Sequence, residues 1–381
     1  MLQVLLFLAI STLLAFVVQK GSILLPYIGE NLPYGIKIHT ISALLGYVVL
    51  LIIGILFAGL RGIGNDTTVY IINYLTLINP FPAELAYMDW NLGANPGFHI
   101  YQSIIKLIFG NNALWLTMIT AIISTISLVE FYRYYSVNFT FSIYLFIAST
   151  LFVFTMAAMK QTIAFSIGIW ILPLSLHKKW YIIIILLFIA CTIHPYVIFF
   201  GAIPFFVGET FSWKIKGCIL AAVFIGSHLT AFMETALTVT ESIGDEYLLE
   251  YWGEGTGAKI LRLPFFLVTP ALGLIFQKEI KAKGNKIIQS SINLSAISGC
   301  FMILATFGGA NMFGRMANYW EPFTYVALPG ICKCLEHRSW QKMIIISLVI
   351  CFFVFYLFYY RKFGYALYVD YYQHASIFDL F

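Results

Sequence analysis

Charge is what this chain has least of. Only 10% of its 381 residues are Asp, Glu, Lys or Arg, against 61% apolar ones, and the mean hydropathy is +0.88. So little charge cannot coat the surface of a water-soluble fold of this size, so bilayer lipid must be part of the solvent. The formal net charge of +5 is not gathered into basic stretches interleaved with aromatics, which leaves no basis for nucleic-acid binding. The six cysteines (Cys191, Cys218, Cys300, Cys332, Cys334 and Cys351) show no CxxC spacing and no histidine cluster beside them. They read as small apolar residues, implying neither disulfides nor zinc. There is also no Asp-x-Asp pair, no HExxH, no GxSxG and no Walker lysine loop. Metal-bound nucleotide-sugar transfer, zinc hydrolysis, serine hydrolysis and ATP use therefore have no motif behind them. No metal or other cofactor is expected, and no repeat of fixed period is visible.

What is present is a series of continuous apolar runs. Hydrocarbon cannot satisfy exposed backbone amides, so a spanning chain must be helical or a closed barrel, and barrels need alternation rather than continuity. The reading is an all-α, polytopic integral membrane protein, a single transmembrane domain over residues 1–381. Windows of about 15 to 20 apolar residues place about twelve helices: 1–18, 38–60, 112–130, 139–158, 161–176, 180–193, 195–208, 215–234, 260–277, 287–306, 319–334 and 343–360. Those near Pro173, Pro195 and Pro204 are short, since proline ends or kinks helices, and two of them are re-entrant candidates. The first run has no basic residue before it and no small-residue cleavage pattern after it, which favours a retained anchor over a cleaved signal.

With the N-terminus outside, fourteen of the twenty-two Lys and Arg residues fall in cytoplasmic connections, as the positive-inside rule requires. The two long polar excursions, 61–111 and 235–259, are then extracytoplasmic loops; the second carries Glu241, Asp245, Glu246, Glu250 and Glu254. Within the first, Tyr70, Ile71, Tyr74, Leu75 and Ile78 recur at helical spacing, as do Phe98, Tyr101, Ile104, Ile105 and Ile108, predicting two amphipathic helices at the membrane surface. An aromatic content of 18%, concentrated near helix ends, is the usual interfacial belt.

Ionisable side chains at a membrane cost several kcal/mol unless paired, solvated or functional. Outside the cytoplasmic set, five stand out. Arg61 opens Arg61-Gly62-Ile63-Gly64-Asn65-Asp66, where glycines let the backbone turn sharply; Asp66 serves equally as an N-cap of the next helix. Lys160-Gln161 interrupts an apolar stretch, where snorkelling to headgroups competes with binding an anion. His194-Pro195 breaks two apolar runs, and histidine there suits proton transfer or a purely structural role. Arg315 follows a small-residue loop, and its planar fork pairs two phosphate oxygens without losing charge. Three cations on one membrane face point to a membrane-associated anionic group, a lipid phosphate or pyrophosphate.

These pieces resemble the EpsG-like, Wzy-type polysaccharide polymerases of bacterial exopolysaccharide and capsule pathways. The matching residues are Arg61…Gly64-x-Asp66…Tyr70, Met159-Lys160-Gln161-x-Ile163-Ala164, the His194 break and Arg315-x-x-x-Tyr319, in the family's order along nearly the whole chain. Two positions depart: the family commonly has Arg where Lys160 stands and an aromatic where Thr67 stands. The resemblance implies a plasma-membrane enzyme, without cofactor, acting outside the cytoplasm on oligosaccharide repeat units linked to polyprenyl pyrophosphate. It implies Arg61, Lys160 and Arg315 on the pyrophosphate, Asp66 or His194 as general base, and Tyr70, Gln161, Tyr319 and Trp320 along the sugar path. Membrane lipid, a chain-length regulator and a flippase are the implied partners. A repeat-unit flippase, a glycan ligase and a membrane acyltransferase are the alternatives.

Overall fold

Apolar runs fold as helices because only a helix satisfies every backbone amide within its own segment. The computed structural model describes residues 2–25, 34–61, 66–228, 258 and 260–364, apart from the side chains of 310, 311 and 361–364. The chain divides into two units: the first runs to Pro204 and resumes at Lys342, and the second is Phe205–Gln341.

In the first unit α1 (Leu2–Lys20) and α2 (Ile41–Gly59) pack together. Between them lies a feature the apolar pattern did not predict, an antiparallel hairpin of β1 (Ser22–Leu25) and β2 (Gly35–Ile38), with Ser22 opposite Ile38. Thr40 caps α2, its hydroxyl accepting from Ala43 N at 3.2 Å. Gly35 passes so close to the backbone at Tyr134 that a Cβ there would sit 2.3 Å from the Tyr134 carbonyl carbon. Helix α3 (Thr67–Thr76), short 3-10 turns and α4 (Pro96–Phe109) connect α2 to α5 (Leu114–Tyr135). The Thr117 hydroxyl of α5 donates to Gly59 O at 2.7 Å, pinning the end of α2 just before Arg61.

Next come α6 (Phe139–Ala148) and α7 (Thr150–Ala157), bent by 62° at Ser149, then α8 (Met159–Gly168), α9 (Ile171–Leu176) and α10 (Trp180–Ile193). A 3-10 segment, Pro195–Ala202, and α11 (Ile203–Phe206) follow. The first unit is closed by α18 (Arg338–Gly364): the Tyr356 hydroxyl donates to Val4 O at 2.6 Å and the Tyr144 hydroxyl to Val349 O at 2.7 Å.

The second unit comprises α12 (Trp213–Ser227), α13 (Leu263–Ile275), α14 (Gln277–Lys283), α15 (Lys286–Phe307), α16 (Ala310–Trp320) and α17 (Thr324–Cys334). Helix α15 is its axis, with 83% of its apolar window buried against 22% for α18 and 33% each for α1 and α2. Small residues explain the difference. Ser290, Ser291, Ser295, Ser298 and Gly299 are narrow enough for neighbouring backbones to approach closely, and lipid offers no hydrophobic force to do that work. The Ser298 hydroxyl donates to Ala317 O at 2.6 Å, Ser295 pairs with Thr324 at 3.0 Å, and Asn293 clamps the turn before α12 through Phe206 O and Glu209 O, both at 3.0 Å.

Among the described residues, six helices are long and apolar enough to cross a bilayer, or eight if each of two bent pairs is one span. Among the described residues each of the twelve predicted windows overlaps helix, and eight of them match these spans. The other four fall on shorter pieces. The 14 residues of α10 reach only about 21 Å, short of a hydrocarbon core of about 30 Å. Window 215–234 runs past residue 228, and the loop 235–259 with its acidic residues lies, save residue 258, outside the described residues. Four of the six cysteines are buried, as small apolar residues would be, whereas Cys218 is partly exposed and Cys351 faces outward from α18.

Candidate functional site

The site in the first unit is built from three interruptions of helix. At the first, α2 ends and Arg61 turns inward; it is 4% exposed. Its guanidinium donates to Ala58 O and, through Nε, to the Thr67 hydroxyl at 3.5 Å; that hydroxyl in turn donates to Met156 O at 3.2 Å. Arg61 is thereby held between the end of α2, the start of α3 and the end of α7. Residues 62–65, the glycine turn between Arg61 and Asp66, lie outside the described residues. Asp66 precedes α3 with helical backbone (φ −62°, ψ −16°), and its side chain makes no capping hydrogen bond. The capping role is thus not the one it fills.

The second interruption is Ala158, whose backbone (φ −106°, ψ 72°) separates α7 from α8. Lys160 and Gln161 consequently lie in the first turn of α8, where unsatisfied backbone N–H groups give a positive end. Lys160 Nζ stands 5.9 Å from the centre of the Tyr70 ring, a cation–π distance. The third interruption is His194, extended (φ −155°, ψ 114°) between α10 and the 3-10 segment. Proline at 195 disfavours helix at the residue before it. Gln161 Nε2 and His194 Nε2 are 3.4 Å apart, both side chains being buried.

An aromatic ladder joins α3 to α4: Tyr70 meets Phe98 edge-on at 5.6 Å, and Phe98 stacks on Tyr101 at 5.7 Å. The Tyr101 hydroxyl pairs with Thr120 at 2.9 Å. Burial raises its pKa, while the Thr120 bond and the nearby Arg61 charge oppose that shift. Helix α4 is pressed onto the end of α10 near His194, since a Cβ on Gly97 would lie 2.2 Å from the Thr192 hydroxyl. The first unit therefore brings together Arg61, Tyr70, Lys160, Gln161 and His194, with Asp66 one residue from Thr67.

The two helices predicted in this stretch are present as α3 and α4, with one change of face. Tyr70, Tyr74, Phe98 and Ile105 are buried, whereas Leu75, Ile104 and Ile108 point outward. Lys106 Nζ donates to Tyr74 O and Ile78 O, each at 2.8 Å, and to Leu75 O at 3.4 Å, fastening α4 to the end of α3. Burial lowers the Lys106 pKa, partly offset by the Glu84 charge. Glu84, itself buried, accepts from Asn79 N at 2.6 Å and Asn79 Nδ2 at 3.2 Å, with His99 Nδ1 at 3.1 Å.

In the second unit, Arg315 lies on α16, partly buried, one turn from the fully buried Tyr319, with Trp320 buried beside it. The sequence reading passed over Glu321, which is 4% exposed and receives a hydrogen bond from the Tyr325 hydroxyl. Asn318, between Arg315 and Glu321, is also buried, and its Oδ1 meets no donor. The available signal was a carboxylate inside the apolar window 319–334, a placement that costs free energy without a partner. Among the described residues no group of three or more His, Cys, Asp or Glu is placed to hold a metal ion.

Long apolar helices, interrupted at the breaks that carry Arg61, Lys160 and His194, define a helical membrane protein. The chain belongs to the EpsG family, which it matches over residues 44–375, and proteins of this kind are similar to Wzy-type polysaccharide polymerases. Neither a curated protein nor a solved structure matches it.

Proposed function

We propose that the protein is a plasma-membrane glycosyltransferase that polymerises polyprenyl-pyrophosphate-linked oligosaccharide repeat units at the extracytoplasmic face, producing exopolysaccharide or capsule. Membership of the EpsG family over residues 44–375 carries the reading. The packing of Arg61, Lys160, Gln161 and His194 around helix breaks supports it, because an anionic leaving group calls for fixed cations and a helix N-terminus. The proposal places the N-terminus outside and includes a chain-length regulator and a flippase as partners.

In this reaction the acceptor sugar hydroxyl attacks the anomeric carbon of the growing chain. Its proton passes to Asp66 or His194, and the bond from the anomeric carbon to the pyrophosphate oxygen breaks. Arg61, Lys160 and Arg315 are assigned to the pyrophosphate as its negative charge grows, so no metal ion is needed for that task. Tyr70, Gln161, Tyr319 and Trp320 are assigned to the sugar path.

The test expresses wild type, Arg315→Ala and Asp66→Ala at matched membrane levels in a strain lacking the protein, and measures the length distribution of lipid-linked and surface glycan. Long polymer with wild type and single repeats on the extracytoplasmic carrier with the variants is the expected result. Single repeats left facing the cytoplasm in the deletion strain would make the protein a flippase.

A further inference from the structure

The roles assigned so far leave two buried amide atoms of the first unit unexplained. Gln161 Oε1, on α8, meets no donor, and Gln102 Nε2, on α4, meets no acceptor. Gln102 is 2% exposed. A polar atom buried without a partner is destabilising relative to an apolar group of the same shape, so such atoms in native folds call for an explanation. The fold is able to satisfy deeply buried groups in the same segment, as the three bonds to Glu84 show.

The position of Gln102 narrows the explanation. Phe98, Gln102 and Ile105 share the buried face of α4 at spacings of four and three residues. The Phe98 ring meets Tyr70, which carries Lys160 over its face, and Tyr101, the next residue back from Gln102, feels the charge of Arg61. The orphan donor therefore sits one turn from an aromatic ladder already joined to the candidate cations. A neutral amide beside aromatic rings suits an uncharged, hydroxyl-bearing ligand, since rings cover C–H faces while the amide bonds an oxygen.

We infer that Gln102 is a specificity-determining residue of the sugar path, its Nε2 donating a hydrogen bond to a hydroxyl or ring oxygen of the oligosaccharide repeat unit. The inference rests on the polymerase reading above and adds to it a neutral contact on α4, apart from the cations that meet the pyrophosphate.

The experiment compares purified wild type, Gln102→Leu and Gln102→Met, in one lipid mixture. Both variants fill the same space without the donor, so one well-folded variant suffices. The substrate is the lipid-linked repeat unit extracted from the strain lacking the protein. Expected are a melting temperature equal to or above that of wild type and a KM raised roughly tenfold, the worth of one hydrogen bond to a ligand, with kcat changed much less. An unchanged KM, with or without a lower melting temperature, overturns the inference and assigns Gln102 to packing. A wild type that forms no polymer from this substrate overturns the polymerase reading itself, a result distinct from any change in KM.

Discussion

Two polar clusters in the first unit invite comparison: the fastening of α3 to α4 by Glu84 and Lys106, and the helix-break cluster of Lys160, Gln161 and His194. Both bury ionisable or amide groups in a chain with little charge to spare. The fastening satisfies its charged groups within the segment. Lys106 donates to three carbonyls, and Glu84 accepts from a backbone amide, a side-chain amide and an imidazole. The helix-break cluster instead lays Lys160 over a ring and leaves Gln161 Oε1 without a donor. Saturated groups stabilise a fold, whereas an under-satisfied one costs stability and is kept where a ligand completes it.

Four substitutions test that contrast, each followed by thermal or denaturant unfolding of the purified protein in mild detergent. Glu84→Ala has the largest expected effect, about 3 kcal/mol of lost stability, because three hydrogen bonds to one buried carboxylate are lost at once. A loss below about 1 kcal/mol would show the segment to be held by packing instead. Lys106→Met keeps the aliphatic stem but releases three carbonyls, so about 2 kcal/mol is expected, with faster proteolysis between α3 and α4. Thr117→Val removes one bond from α5 to the end of α2 and should cost about 1 kcal/mol.

Gln161→Leu should shift stability least. Losing the His194 contact costs roughly what removing the orphan oxygen returns, each about 1 kcal/mol. Polymer formation in cells, at matched protein level, should nonetheless fall at least about tenfold, corresponding to ~1.4 kcal/mol. If Gln161→Leu and Glu84→Ala lower stability equally, the distinction between the clusters collapses.

Much of the candidate site was legible because the sequence is so apolar. Against that background Arg61, Lys160 and Arg315 stand out by charge, and the breaks at Gly62 and Pro195 stand out by backbone chemistry. Glu321 escaped notice because it sits inside an apolar window and is made acceptable there by Tyr325, ten residues after Arg315. Gln102 escaped because an amide in an amphipathic helix is ordinary until its partners are known. The β-hairpin at 22–38 was missed because four-residue strands are too short for an alternating pattern to register.

The sequence by itself determined the membrane-helical class, the helical character of most apolar windows among the described residues and the order of the candidate residues. Apolar length and proline position act locally, through backbone hydrogen bonding that lipid cannot replace. Tertiary structure alone decided that Asp66 does not cap α3 and that Lys160 lies over Tyr70. It also paired Gln161 with His194 and oriented α4 to bury Gln102 while turning Ile104 outward. Those outcomes depend on which helices touch, and contacts between residues distant in sequence, such as Gly97 against Thr192, arise only when the whole unit packs.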